Sequence, residues 1–217
     1  MPLAEQRDSA SPVPSRPPSG PGGQPRSPSA LNLPNIITLS RLVLAVFLFW
    51  LIDTGGHWLA ACVLFLIAAA TDAIDGYIAR RYGLVTKIGR IFDPFVDKVI
   101  IGGAFMFLAV QPDSGVNAWM VMAVIGREMF VTSLRSVLES EGKDFSATMS
   151  GKLKMVVQCA AVAGSLLFLE FLQHNPGRDL VNTLATVRDV ILWGAVAITL
   201  YSGYDYIVRA VKLFRQG

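Results

Sequence analysis

Apolar positions in this chain come in runs rather than in narrow stripes. From Leu31 onward, long apolar stretches alternate with short polar links and place helices at roughly 36–52, 58–81, 90–110, 117–139, 151–172 and 187–209. The hydrocarbon core of a bilayer takes about 20 residues of helix. The pattern therefore predicts an all-α, polytopic membrane protein with six transmembrane helices. It leaves no room for a soluble domain of any size and shows no internal repeat. Pro34 followed by Asn35 reads as a helix start with Asn35 as the cap. The first run is short and contains Arg41, which must pair or reach for the interface.

Residues 1–30 are a different kind of polymer. Eight Pro, six Ser and three Gly occupy 17 of the 30 positions, and no apolar face is left to bury. That composition predicts a disordered tail, with 31–217 as the membrane domain. A signal peptide would need an apolar stretch and a small-residue cleavage site there, and neither occurs. Over the whole chain 53% of residues are hydrophobic and 16% charged, against about a quarter charged in soluble domains. Cys62 and Cys159 sit inside apolar runs without metal or redox spacing, which predicts small buried hydrophobes.

Charge then orients the helices. If the six runs cross in turn, 17 of the 19 Lys and Arg fall on one side and only Arg178 and Arg188 on the other. Basic residues favour the cytoplasm, so both termini are expected there, in a multi-pass protein of the inner cell membrane. Trp50, Trp58, Trp119 and Trp193 fall near the opposite helix ends, as an outer aromatic belt would.

The candidate chemistry lies at the cytoplasmic end of the second and third helices. Asp72 and Asp75 are three apart, and Asp93 and Asp97 four apart, so each pair shares a helix face. Two antiparallel neighbours joined by a short link would bring all four together. An ionised Asp at the centre of a spanning helix costs about 2.5–3.5 kcal/mol, less near the interface, and like charges add repulsion. A solvated helix end is the plain alternative for any one of them, but four at helical spacing among Ile, Phe and Val need a better account. Two Mg²⁺ would balance the cluster with hard, oxygen-seeking cations, and a metal pair can clamp an in-line displacement at phosphorus. Gly76 and Gly89 serve either close helix packing or close approach of a nucleotide. Ala79, seven after Asp72, leaves room on the same face.

The run Asp72-x-x-Asp75-Gly76-x-x-Ala79-Arg80, eight residues, Gly89-x-x-x-Asp93-x-x-x-Asp97 resembles the signature of the CDP-alcohol phosphotransferase family at every fixed position. From Leu31 onward the chain is similar to the bacterial phosphatidylglycerophosphate synthases of that family. The similarity is carried by Leu33–Arg41, by Gly126–Arg135, and by Gly151-Lys152-Leu153-Lys154 with Gln158. The resemblance implies that Asp72, Asp75, Asp93 and Asp97 hold two ions of Mg²⁺ or Mn²⁺, with Asp97 also the general base. It implies that Asp72, Gly76, Ala79, Arg80 and Gly89 form the CDP site, and that the protein is a homodimer. The implied reaction passes a phosphatidyl group from CDP-diacylglycerol to glycerol 3-phosphate, releasing CMP on the cytoplasmic side.

A phosphorylated acceptor needs cations, and Arg127, Arg135, Lys152 and Lys154 are the candidates. Arg127 has an equal alternative as a structural ion pair, with Glu128 beside it. Lys143, Arg209, Lys212 and Arg215 read as solvated residues drawn to anionic membrane lipids. His57 and His174 fall on the outer side. The acidic signature does not distinguish glycerol 3-phosphate from inositol phosphate, serine or phosphatidylglycerol as acceptor. A divalent-cation transporter is the alternative from another class, but it would place its carboxylates near the midplane on broken helices. No nucleic-acid partner is expected.

Overall fold

A computed structural model describes the backbone of residues 33–82, 87–140, 149–174 and 177–215, and side chains from Leu39 on except 72–94, 149–150, 152 and 214. The chain divides into Met1–Ala30 and Leu31–Gly217; the expected tail lies outside the described residues. All regular structure among the described residues is helical: α1 Leu33–Thr54, α2 Trp58–Tyr82, α3 Lys87–Val110, α4 Ala118–Ser140, α5 Met149–Gln173 and α6 Arg178–Arg215.

Local chemistry accounts for the helix ends. α1 is already helical at Leu33, so Asn35 lies within the helix and is not the cap that the sequence suggests. At the other end Gly55 and Gly56 adopt φ of 67° and 77°, the left-handed conformation that stops a helix and that glycine adopts without a Cβ penalty. The N-terminus of α2 takes its acceptor from α5, where Glu170 Oε2 receives the Leu59 N–H at 3.0 Å. A carboxylate at the positive end of a helix is favourable. Asn117 caps α4, its Oδ1 accepting from Met120 N at 3.1 Å.

The largest departure from expectation is α6. It starts at Arg178 rather than 187 and runs to Arg215, 38 residues or roughly 57 Å at 1.5 Å per residue. The stretch 178–189 has no continuous apolar run, but Leu180, Val181, Leu184 and Val187 recur at helical spacing and it contains no Pro or Gly after Gly177. Asp179 in the first turn and Lys212 and Arg215 in the last complement the helix dipole.

The helices close into a ring in which α1 packs on α2, α2 on α5, α5 on α6, α6 on α4, α4 on α3 and α3 on α1. Phe65, Phe105, Leu48, Ile52, Leu108, Leu166 and Leu192 fill the interior with at most 2% exposure. A smaller cluster of Val131, Leu138, Tyr206 and Ala210 joins α4 to α6. At Gly103 α1 presses directly on α3: the Phe49 ring occupies the space a Cβ would need and stacks on Phe107 at 5.0 Å.

Three connections meet at one end of the bundle. Gln111 Nε2 donates to Ile52 O at 2.8 Å, satisfying a carbonyl in the last turn of α1. Arg188 of α6 donates to Asp113 O, pairs with Asp189 at 2.8 Å and lies 4.2 Å over the Phe168 ring. These ties and the Glu170 cap hold the ends of α1, α3 and α5 beside the starts of α2, α4 and α6.

The outside of the bundle is apolar, with Val43, Val46, Val110, Met122, Val156 and Val190 all exposed. Two helices among the described residues, Leu153–Gln173 and Arg178–Leu213, are long and apolar enough to cross a membrane. In the second, only 22% of the most apolar window is covered by protein. An apolar surface of this extent suits a lipid environment better than water. Trp50, Trp119 and Trp193 are exposed, as a belt requires, whereas Trp58 is 7% exposed and is a core residue. Cys62 is buried and Cys159 half-buried, both as free thiols.

Candidate functional site

Arg41 is held at 3% exposure inside the bundle, where an unpaired charge would be costly. The cost is met across the α1–α3 seam: Arg41 Nη2 donates to Asp97 Oδ1 at 2.5 Å. The sequence left Arg41 either to pair or to reach for the interface, and the fold pairs it with the last Asp of the acidic run. This contact positions one carboxylate oxygen of Asp97, whose side chain keeps 28% of its surface exposed.

Asp97 faces a cavity of about 260 Å³ among α3, α4 and α5. Ile101, Gly102, Val124, Ile125 and Met155 give it an apolar floor. The polar wall is made by Asp97, Lys98, Glu128, Lys154 and Gln158. Lys98 Nζ donates to Thr132 Oγ1 at 2.5 Å. Glu128 Oε1 accepts from Lys154 Nζ and from Arg127 Nη1 at 3.1 Å. Around the polar wall, Asp97 apart, three cations stand against one carboxylate, which favours an anionic guest.

The expected acceptor cations separate in space. Lys154 is on the cavity wall. Arg127 stands behind Glu128, its Nη2 donating to Ser202 Oγ at 2.6 Å and its guanidinium 5.3 Å over the Tyr206 ring. Arg135 donates to Tyr206 Oη at 3.1 Å. Both arginines thus brace α4 against α6. Lys152 lies on the first turn of α5, with its side chain outside the described residues. Asp72, Asp75, Gly76, Ala79 and Arg80 lie on α2, and Gly89 and Asp93 on α3; their side chains are also outside the described residues.

Three wall residues were not picked out as site residues from sequence. Lys98 was hidden by its place at the end of the acidic signature. Glu128 was considered only as an ionic neighbour of Arg127. Gln158 is 0% exposed, and a polar residue in an otherwise apolar run was the signal that could have marked it.

The donor chemistry fits a hard divalent cation. Asp97 presents carboxylate oxygen, and neither His nor Cys lines the cavity. Among the described residues there is no group of three His, Cys, Asp or Glu that could hold a metal by itself.

Comparison with known proteins agrees with this architecture. Residues 31–201 match the family model described as CDP-alcohol phosphatidyltransferase. The chain is 39% identical over 192 residues to the CDP-diacylglycerol–glycerol-3-phosphate 3-phosphatidyltransferase of Bacillus subtilis, covering 82% of this chain and 94% of that protein. It is 37% identical to a probable phosphatidylglycerophosphate synthase of Mycobacterium tuberculosis, covering 83% of this chain and 82% of the other. It is 33% identical to the CDP-diacylglycerol–glycerol-3-phosphate 3-phosphatidyltransferase of Rickettsia typhi, covering 84% and 98%. With the family match running through five of the six helices and into the sixth, the chain belongs to the CDP-alcohol phosphatidyltransferase family.

Proposed function

We infer that this protein transfers the phosphatidyl group of CDP-diacylglycerol to glycerol 3-phosphate, forming phosphatidylglycerophosphate and CMP. The observation that carries this reading is the juxtaposition of Asp97 with Lys98 and Lys154 on one cavity wall. The relatives named for this reaction match over most of their length. Asp97 is positioned by Arg41 and takes the proton of the acceptor's primary hydroxyl. The freed oxygen attacks the phosphorus bearing the diacylglycerol, the bond from that phosphorus to the CMP oxygen breaks, and CMP leaves with the electron pair. Lys98 and Lys154 receive the acceptor's phosphate, with Arg127 adding positive potential through Glu128. The apolar floor keeps water from competing as nucleophile.

Members of this family use divalent metal ions. In this reading Asp72, Asp75, Asp93 and Asp97 hold two Mg²⁺ or Mn²⁺, while Gly76, Ala79, Arg80 and Gly89 complete the CDP site. Bound cations would supply charge neutralisation at the transferred phosphate. In the same reading Lys152 and Arg135 add positive charge for the acceptor's phosphate. Residues 31–217 form the catalytic domain, which crosses the inner membrane six times with both termini and the active site cytoplasmic and works as a homodimer. The gathering of three helix connections at the end away from Asp97 supports this sidedness, since Arg178 and Arg188 belong to that end.

The test is an acceptor screen. Purified protein receives CDP-diacylglycerol and Mg²⁺ with glycerol 3-phosphate, inositol 1-phosphate, serine or phosphatidylglycerol, and CMP release is scored. Glycerol 3-phosphate should give the highest rate, and excess chelator should abolish it. A higher rate with another acceptor would overturn the reading.

A further inference from the structure

Gln158 is buried completely, and only half of its amide is satisfied. Its Nε2 donates to Thr199 Oγ1 of α6 at 2.8 Å. The Thr199 hydroxyl donates in turn to Ala195 O at 2.7 Å, so its oxygen meets Gln158 as an acceptor. That contact fixes which way the amide points, because only the NH₂ end can serve a hydroxyl whose proton is already committed. The other end, Oε1, is buried without a hydrogen-bond partner. Gln158 lines the same cavity as Asp97, Lys98 and Lys154.

A buried carbonyl oxygen without a donor is unfavourable, and the residue that carries it lines a cavity that already holds a proton acceptor and two cations; with Gln158 0% exposed, a guest reaches Oε1 only as the cavity wall gives way around it. Its chemistry calls for an O–H or N–H on the guest. Glycerol 3-phosphate has two hydroxyls: one is the nucleophile and belongs to Asp97, and the other takes no part in the bond changes. We propose that Gln158 Oε1 accepts a hydrogen bond from the non-reacting hydroxyl of the acceptor. Gln158 then determines specificity for a phosphorylated vicinal diol, with Thr199 holding its amide in the reading orientation. This rests on the acceptor occupying the cavity as described above.

The argument also says what the site should reject. An acceptor with the same primary hydroxyl and phosphate but a bare CH₂ at the middle carbon leaves Oε1 unpartnered in a closed site. A ketone at that carbon places one acceptor oxygen against another.

The experiment compares glycerol 3-phosphate with 3-hydroxypropyl phosphate, its analogue lacking the middle hydroxyl, by CMP release with CDP-diacylglycerol and Mg²⁺. For the unmodified protein the analogue should have kcat/KM lower by at least ~10-fold, with ~10⁴-fold as the bound for a site built to bind a hydroxyl. In Gln158→Leu the ratio of the two substrates should collapse toward one, because the variant has no carbonyl to leave unsatisfied. A structural role alone would lower both substrates together and keep the ratio. Thr199→Val should weaken discrimination less than Gln158→Leu, since it loosens the amide without removing it. If the unmodified protein uses both acceptors within about twofold, or Gln158→Leu keeps the parent ratio, the proposal is overturned. The first comparison needs no variant, so it stands even where Gln158→Leu does not fold. No CMP release with glycerol 3-phosphate itself would instead overturn the functional reading beneath the proposal.

Discussion

Replacing Glu128 by glutamine removes one negative charge from a cluster that holds two buried cations. Arg127 and Lys154 have side-chain exposures of 8% and 9%, and both donate to the same Glu128 oxygen. At 3.1 Å the attraction to Arg127 alone is roughly 5 kcal/mol at an effective dielectric of about 20. The desolvation already incurred by the cations is not recovered when the carboxylate goes, so loss of a buried partner costs about 3–5 kcal/mol net. For a chain of this size that corresponds to a fall of roughly 6–20 °C in unfolding midpoint, measured in detergent by thermal denaturation. Glutamine keeps the shape and an acceptor oxygen, which puts the expected effect toward the lower end. The coupling is tested by Lys154→Met in the Glu128→Gln background: the pair should be less destabilised than the sum of its members by about 0.5–3 kcal/mol. A midpoint for Glu128→Gln within a degree of the parent, or strict additivity, would refute a shared buried ion cluster.

Asp97→Asn should lower turnover by about 10²–10⁴-fold with CDP-diacylglycerol binding retained, and restoration of the parent rate by raised Mg²⁺ would show a metal ligand and not a base. Gly103→Ala should destabilise the α1–α3 seam by about 1–3 kcal/mol through collision with the Phe49 ring, and Phe49→Leu in the same chain should recover part of that loss in thermal midpoint. Reporters fused after Gly217 and at residue 87 should lie on the same side of the membrane and one at residue 113 on the other; a shared side for 87 and 113 would contradict a spanning α3.

Much of this protein was legible in the order of its residues, because an apolar helix is a local object. Its backbone hydrogen bonds close within the segment, so length and apolar content alone located six helices, and the spacing of Asp72, Asp75, Asp93 and Asp97 pointed to the family to which the chain belongs. Where local signals were weak the boundaries moved. The start of α6 lacks a continuous apolar run and reads as a loop, yet nothing in it stops the helix, and Asn35 lies inside α1 instead of capping it. Partners are a different matter. That Arg41 would pair or reach for the interface followed from its place in an apolar run, but that it pairs, and with Asp97, depends on α1 lying against α3. Arg127 could have been a phosphate ligand or a structural brace from sequence. The packing of α4 on α6 brought Ser202 and Tyr206 around it and left Lys98, Lys154 and Gln158 to line the cavity. Those contacts join positions from 26 to 79 residues apart, and no periodicity encodes them. They arise only when burial forces each charged or polar group to find whichever partner the closed ring of helices sets beside it.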